Sequence, residues 1–207
     1  MNQMNQVTQE RISGAEKINE RITELLCGRY DDHRRITLTL AYLSLSLDHH
    51  RAIILLIRSR LYGSALALVR PVFEAMIRAH WVVKCASEAE VDEVAEDDNF
   101  RFPKMNDMAK AVDQAFSDPI DQPLAFFRQA KKDAWKATNS YTHSGLLQLT
   151  RQFSGDRVES RYPDEDLLDA LNASTASILM LGYLLAHWTT KWEEAGEIEK
   201  LFCAFGD

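Results

Sequence analysis

Arg70, Glu74 and Arg78 recur four residues apart in ALALVRPVFEAMIRAHW, residues 65–81. On a helix each step of four advances only about 40° around the axis, so both guanidiniums share a face with the carboxylate. The flanking residues are strongly apolar, and charges inside an apolar helix must be paired or must face a cleft. Two outcomes follow. The three form an Arg–Glu–Arg triad that fixes helix register, or they form an anion site with one cation in excess. A second cluster is TNSYTHSG, residues 138–145. Asn139 and His143 are four apart and share a face if the segment is helical. The segment is rich in side chains that bond the backbone locally, so a helix is expected to open near Thr138–Gly145. Imidazole exchanges protons near neutral pH, and Lys136 and Arg151 supply cations close by. These residues define a candidate site: His143, Asn139, Arg70 and Arg78 for chemistry, with Glu74, Lys136 and Arg151 for holding a ligand.

Metal and cofactor chemistry is not expected. In Asp48-His49-His50-Arg51 the adjacent imidazoles point about 100° apart on a helix and cannot easily share one ion. HExxH and ExxH are absent, which disfavours a di-iron bundle site. The three cysteines, Cys27, Cys85 and Cys203, form no CxxC pair. GxxxxGK[ST], GxGxxG and GxSxG are absent too, which removes the P-loop, Rossmann and hydrolase-elbow readings.

Helices must position these clusters. Only 8 Gly and 5 Pro occur in 207 residues, with 46% of residues apolar and 27% charged. All-β folds spend Gly and Pro on many turns, so long helices around one core are expected. Residues 7–27 repeat their apolar positions at the helical period and stop at Gly28. Asp31 or Asp32 is the expected N-cap of a helix running to about Arg60. Within it ITLTLAYLSLSL, residues 36–47, alternates like a strand, yet helical flanks and the absence of turn residues favour helix. Tyr62-Gly63-Ser64 reads as a stop at Gly and a new cap at Ser. The helix over 64–86 contains Pro71, which leaves the carbonyl of Ala67 without its helical partner. Residues 86–98 are acidic and open with a Ser cap, so a short exposed helix or a loop is expected there. A short helix is expected at 104–116 among Pro103, Pro119 and Pro123. Another helical region spans 124–151, and residues 154–165 are a turn-rich link. Pro163-Asp164 opens a helix to about Trp192. Its stretch from Ala170 to Thr190 has no charge over 21 residues, but its Asn, Ser, Thr and His content suits a buried bundle helix better than a membrane span. The expectation is an all-α antiparallel, up-and-down helical bundle in one domain, 1–207, with an N-terminal helix at 1–27 and a loop-rich acidic insertion at 86–123. The polar N-terminus lacks a secretory apolar region, so a cytoplasmic location and no membrane partner are expected.

The formal charge of −7 argues against a general nucleic-acid coat. Its distribution is uneven. Residues 28–84 carry nine Arg or Lys against four acids, and residues 128–151 carry five against one. If these basic segments pack together, an acidic protein holds one positive surface; otherwise they neutralise the acidic segments across helix interfaces.

HRAIILLIRSRLYGSALALVRPVFEAMIRAHWVVKCAS (50–87) followed by NSYTHSGLLQLTR (139–151) resembles a branch of bacterial helical proteins related to the HEPN superfamily. The signature of that superfamily is an Arg, four to six residues, then a His, usually with a polar residue after the Arg. His143 matches the His and Asn139 the polar residue. Thr138 stands where the Arg of the shortest spacing would be, and Lys136 is the cation in the permitted window. The resemblance implies an HEPN-like bundle, a homodimer, and metal-independent RNA cleavage in a defence or toxin–antitoxin system. RNA or a nucleotide would be the ligand, and a cognate antitoxin or regulator protein a partner. His143 would act as general acid or base, Asn139 would orient it or contact the phosphate, and Arg70 and Arg78 would stabilise charge on the phosphorus centre. The rival reading is a non-catalytic helical module for dimerisation or for binding a partner or nucleotide, in which 70/74/78 and 139/143 form a polar network that sets register.

Overall fold

A chain with long stretches of helix-period apolar residues buries them by laying helix against helix. The computed structural model describes residues 5–116, 126–154, 156–158 and 160–206, without the side chains of residues 126, 133–137, 154 and 206. It is all-α, an assembly of helices α1 (Gln6–Leu25), α2 (Arg34–Arg58), α3 (Tyr62–Lys84), α4 (Glu88–Glu96), α5 (Met105–Phe116), α6 (Phe126–Thr142), α7 (Leu146–Thr150), α8 (Asp164–Trp188) and α9 (Trp192–Gly206). Residues 154–165, expected as a link, carry a minimal hairpin of β1 (Phe153–Ser154) and β2 (Arg157–Val158), paired antiparallel.

α2, α3 and α8 pack on one another at the centre. α1 and α9 lie against α8, while α5 and α6 lie against α3. Ile53, Ile54, Ile57, Met76, Ile77, Leu171, Ile178 and Leu179 fill the shared core. Each such side chain contributes about 1.5–3 kcal/mol on burial. The strand-like run 36–47 is helical throughout. Helical periodicity spreads its alternating apolar residues around α2: Ile36 and Leu43 are buried, Leu38, Leu40, Tyr42 and Leu47 half-buried, and Leu45 exposed. α2 and α8 are both long and apolar enough to span a bilayer by length and composition. Of the most apolar stretch, 61% is buried inside the bundle in α8 but 33% in α2, so α2 keeps an apolar face outward.

Several boundaries differ from expectation for local reasons. Neither Asp31 nor Asp32 caps α2. His33 occupies the N-cap without a side-chain bond, and the Asp31 carbonyl turns the chain by accepting the His33 amide at 2.8 Å. Between α2 and α3 the left-handed residue is Arg60 (φ 61°), and Leu61 rather than Ser64 is the N-cap of α3. Gly63 lies inside the first turn of α3. A Cβ there would meet the Tyr162 hydroxyl at 2.8 Å, so close packing requires the glycine. The C-terminus of α3 is closed by Arg35 of α2, whose guanidinium donates to the carbonyls of Val82 and Ala86 and pairs with Glu88 at 2.6 Å. Ser87 caps α4 in a reciprocal capping box with Glu90.

Over its described part the acidic insertion, 86–123, carries α4 behind the Ser87 cap and α5 where a short helix is expected at 104–116. α5 buries Met108, Ala109, Val112 and Asp113 against its neighbours. Pro119 and Pro123 lie outside the described residues. α8 stops at Trp188, short of Trp192, because Thr190 turns left-handed (φ 57°) and α9, which the sequence reading did not anticipate, begins.

Candidate functional site

The cluster on α3 forms as its spacing requires. Arg70 Nε donates to Glu74 Oε1 at 2.7 Å, and an Arg78 Nη donates to Glu74 Oε2 at 3.3 Å. The side chains of Arg70 and Glu74 are 18% and 20% exposed, so they lie in a cleft wall and not in the core. Arg78 also stacks its guanidinium 4.8 Å from the centroid of Phe102, while its buried Nε has no hydrogen-bond partner among the described residues.

α6 delivers the second cluster, and both of its ends are fixed. At the N-terminus, where helix amides lack partners, the buried carboxylate of Asp113 accepts the amides of Phe127 and Arg128 at 2.8 and 3.1 Å. At the other end Tyr141 is buried and donates to Asp166 of α8 at 3.2 Å. The helix opens where the sequence predicts. Ser144 is left-handed (φ 52°), and the Gly145 amide returns to the Ser140 carbonyl at 2.7 Å. A Cβ on Gly145 would sit 2.6 Å from Ser140 Oγ, so only glycine fits this reversal.

The two clusters meet. One Arg70 Nη contacts His143 Nε2 at 2.6 Å and donates to Asn139 Oδ1 in a very short bond. A guanidinium only donates, so His143 Nε2 must be the acceptor and Nδ1 carries the proton. The Pro71 defect adds a third link: Thr142 Oγ lies 3.2 Å from the stranded carbonyl of Ala67 and 2.8 Å from that of Thr138. Around them is a cleft of about 280 Å³ lined by α3, the end of α6, and Tyr42 and Leu45 of α2. Burial pushes the Tyr42 phenol up, against the pull of Arg78, so it stays a protonated donor. The cleft therefore holds two guanidiniums, one carboxylate, an imidazole lone pair and an apolar flank, which is the equipment to bind an anion beside a group that can surrender a proton.

Not every candidate joins. Arg151 pairs with Asp166 at 2.9 Å and is not in the cleft wall, because the α6–α7 reversal turns it toward α8. The Lys136 side chain lies outside the described residues. Tyr42, Leu45 and Thr142 were not anticipated. Thr142 had a signal in the carbonyl that Pro71 strands; Tyr42 and Leu45 had none, since nothing in 36–47 shows which side faces α6.

Of the adjacent pair, His49 is half-buried and His50 lies in the core. His50 is fully buried, accepting from Asn19 Nδ2 at Nδ1 (3.0 Å) and donating from Nε2 to Thr175 Oγ (2.9 Å). Burial, reinforced by Arg51, lowers it to about 4, so it is a neutral strut joining α1, α2 and α8. Among the described residues no three His, Cys, Asp or Glu side chains could jointly hold a metal ion.

No curated protein and no solved structure matches the chain. The model of a family of unknown function, DUF6988, matches residues 43–207, from the middle of α2 to the last residue, and of the described residues that line the cleft all but Tyr42 lie within that match. The chain belongs to this family.

Proposed function

We propose that this is an HEPN-like protein of a defence or toxin–antitoxin kind, whose α3–α6 cleft binds the RNA backbone and cleaves it through His143. The observation that carries the reading is the 2.6 Å contact between Arg70 Nη and His143 Nε2. It sets a phosphate-binding cation and an imidazole lone pair at one point. Arg70 then takes over the task that an Arg on the histidine's own helix has in the superfamily. A phosphate diester entering the cleft replaces His143 as the partner of Arg70 and frees Nε2. The 2′-hydroxyl gives its proton to Nε2 as the O2′–P bond forms. The P–O5′ bond breaks, and the imidazolium returns the proton to the departing oxygen. Arg70 and Arg78 hold the charge that builds on the non-bridging oxygens, and Asn139 keeps Arg70 in place. The products are a 2′,3′-cyclic phosphate and a 5′-hydroxyl. Growth arrest on expression, with loss of bulk RNA, checks this: the wild type arrests growth, His143→Ala relieves arrest completely, and Arg70→Ala or Arg78→Ala relieves it in part. Equal arrest by wild type and His143→Ala contradicts it.

The same reading makes the chain a homodimer, supported by the outward apolar face of α2, where Leu45 and Leu55 are 47% and 54% exposed. A second reading, a non-catalytic module for dimerisation or for binding a partner or nucleotide, is favoured by the mutual satisfaction of the cluster: Glu74 alone takes bonds from both Arg70 and Arg78. RNA or nucleotide binding without cleavage, equal in wild type and His143→Ala, would select it.

A further inference from the structure

A second cavity, of about 500 Å³, lies on the far side of α3, between α3, α5, α6, α8 and α9. Its floor is deep in the fold, where His80, Phe127 and Ile198 are each no more than 3% exposed. Its rim, among the described residues, is exposed and aromatic, formed by Phe116, Tyr183 and Phe202. Its size is that of a small-molecule site. An apolar guest gains dispersion contacts and loses water-exposed surface against such walls. The aromatic floor is ordered for a planar guest: His80 and Phe127 ring centres are 4.9 Å apart, and Phe116 and Phe127 stack at 6.4 Å with 27° between planes.

One polar atom gives the cavity a preference. His80 Nδ1 lies 2.8 Å from the Met76 carbonyl. A carbonyl only accepts, so Nδ1 carries the proton and Nε2 is a bare lone pair. No described residue bonds that nitrogen. Burial holds the imidazole at about 4, so it stays neutral and its Nε2 stays an acceptor at ordinary pH. Glu199 stands exposed at the edge, and the nearby Lys84 ammonium is engaged over the rim ring of Phe116, at 5.1 Å, and over Trp188.

We propose that this cavity binds a small, uncharged, apolar molecule carrying one hydrogen-bond donor, a phenol in type, with the ring on Phe127 and the hydroxyl donating to His80 Nε2. The site is separate from the α3–α6 cleft, and its test does not depend on RNA cleavage. The full chain is titrated with 2-naphthol by fluorescence, with naphthalene as the partner that lacks the hydroxyl. Saturable one-to-one binding is expected, with 2-naphthol about fivefold tighter, the effect of one net neutral hydrogen bond. His80→Phe keeps a ring but removes the acceptor, and should erase the preference while naphthalene still binds. Cys203→Trp changes an exposed α9 residue in the cavity wall and should block both probes without disturbing the core. Absence of saturable binding, binding unchanged by Cys203→Trp, or a naphthol preference that survives His80→Phe overturns the proposal.

Discussion

Arg70 divides one guanidinium among Glu74 through Nε and Asn139 and His143 through Nη. Glu74 is therefore the anchor that keeps both arginines in the cleft. Removing a fully buried partner costs about 3–5 kcal/mol, but these side chains are part-exposed and water takes up part of the charge. Glu74→Ala should cost about 1–2 kcal/mol and lower the melting temperature by roughly 2–8 °C. An unchanged melt would mean that the pair does not hold the fold. The buried imidazoles make a pH prediction. His50 and His80 are held at about 4, mainly by burial, against 6.5 for the free side chain. Between these values the unfolded chain binds more protons than the fold. Their contribution is complete above pH 6.5 and is lost as pH falls towards 4, roughly 3 kcal/mol for each by linkage. Urea midpoints at pH 7 and 4.5 should show this drop, and His50→Gln, less stable at pH 7, should show a shallower one. An equal drop in the variant would exclude His50 as a source. At this scale much was legible beforehand. Four-residue spacing sufficed for Arg70–Glu74–Arg78 and for Asn139–His143, because such residues share a face on any helix. The role of Arg151 was not: the opening of the helix near Ser144 is readable from its residues, but the direction in which the chain leaves it, which hands Arg151 to Asp166, is set by tertiary packing.

Elements meet at the defects in α3 and α6. Pro71 strands the Ala67 carbonyl, α6 ends at Thr142, and the Thr142 hydroxyl faces that carbonyl. Thr142→Val keeps the shape and removes the donor, and should cost about 1 kcal/mol, read as a lower urea midpoint with unchanged slope. Thr142→Ser should retain most of the stability. Two variants of equal stability would show that water serves the carbonyl as well. Helix existence was readable from period and caps, as with Ser87 before α4. Boundaries that rest on tertiary bonds were not. Arg35 closes α3 from another helix, and the left-handed turns at Arg60 and Thr190 use residues that carry no turn signal, which is why the start of α3 and the separation of α9 from α8 were missed.

At the scale of the molecule, α3 packs on α6 and sets Arg70 beside His143. Other cations of the two basic segments are neutralised by acids of other elements: Arg34 by Asp92 and Glu96, Arg58 by Glu16, Arg128 by Asp113 and Arg151 by Asp166. The outward face of α2 adjoins that cleft through Tyr42 and Leu45. Light scattering on the eluting protein should give twice 23.7 kDa, and Leu55→Glu should give the monomer. A monomeric wild type would remove the dimer from the account. The central claim is tested most directly by incubating purified protein with end-labelled single-stranded RNA in excess EDTA, comparing wild type with a His143→Ala variant of equal melting temperature. The account predicts cleavage by the wild type to 2′,3′-cyclic phosphate ends and a loss of at least about 100-fold in the variant. Intact RNA with the wild type, or equal cleavage by both proteins, would contradict it.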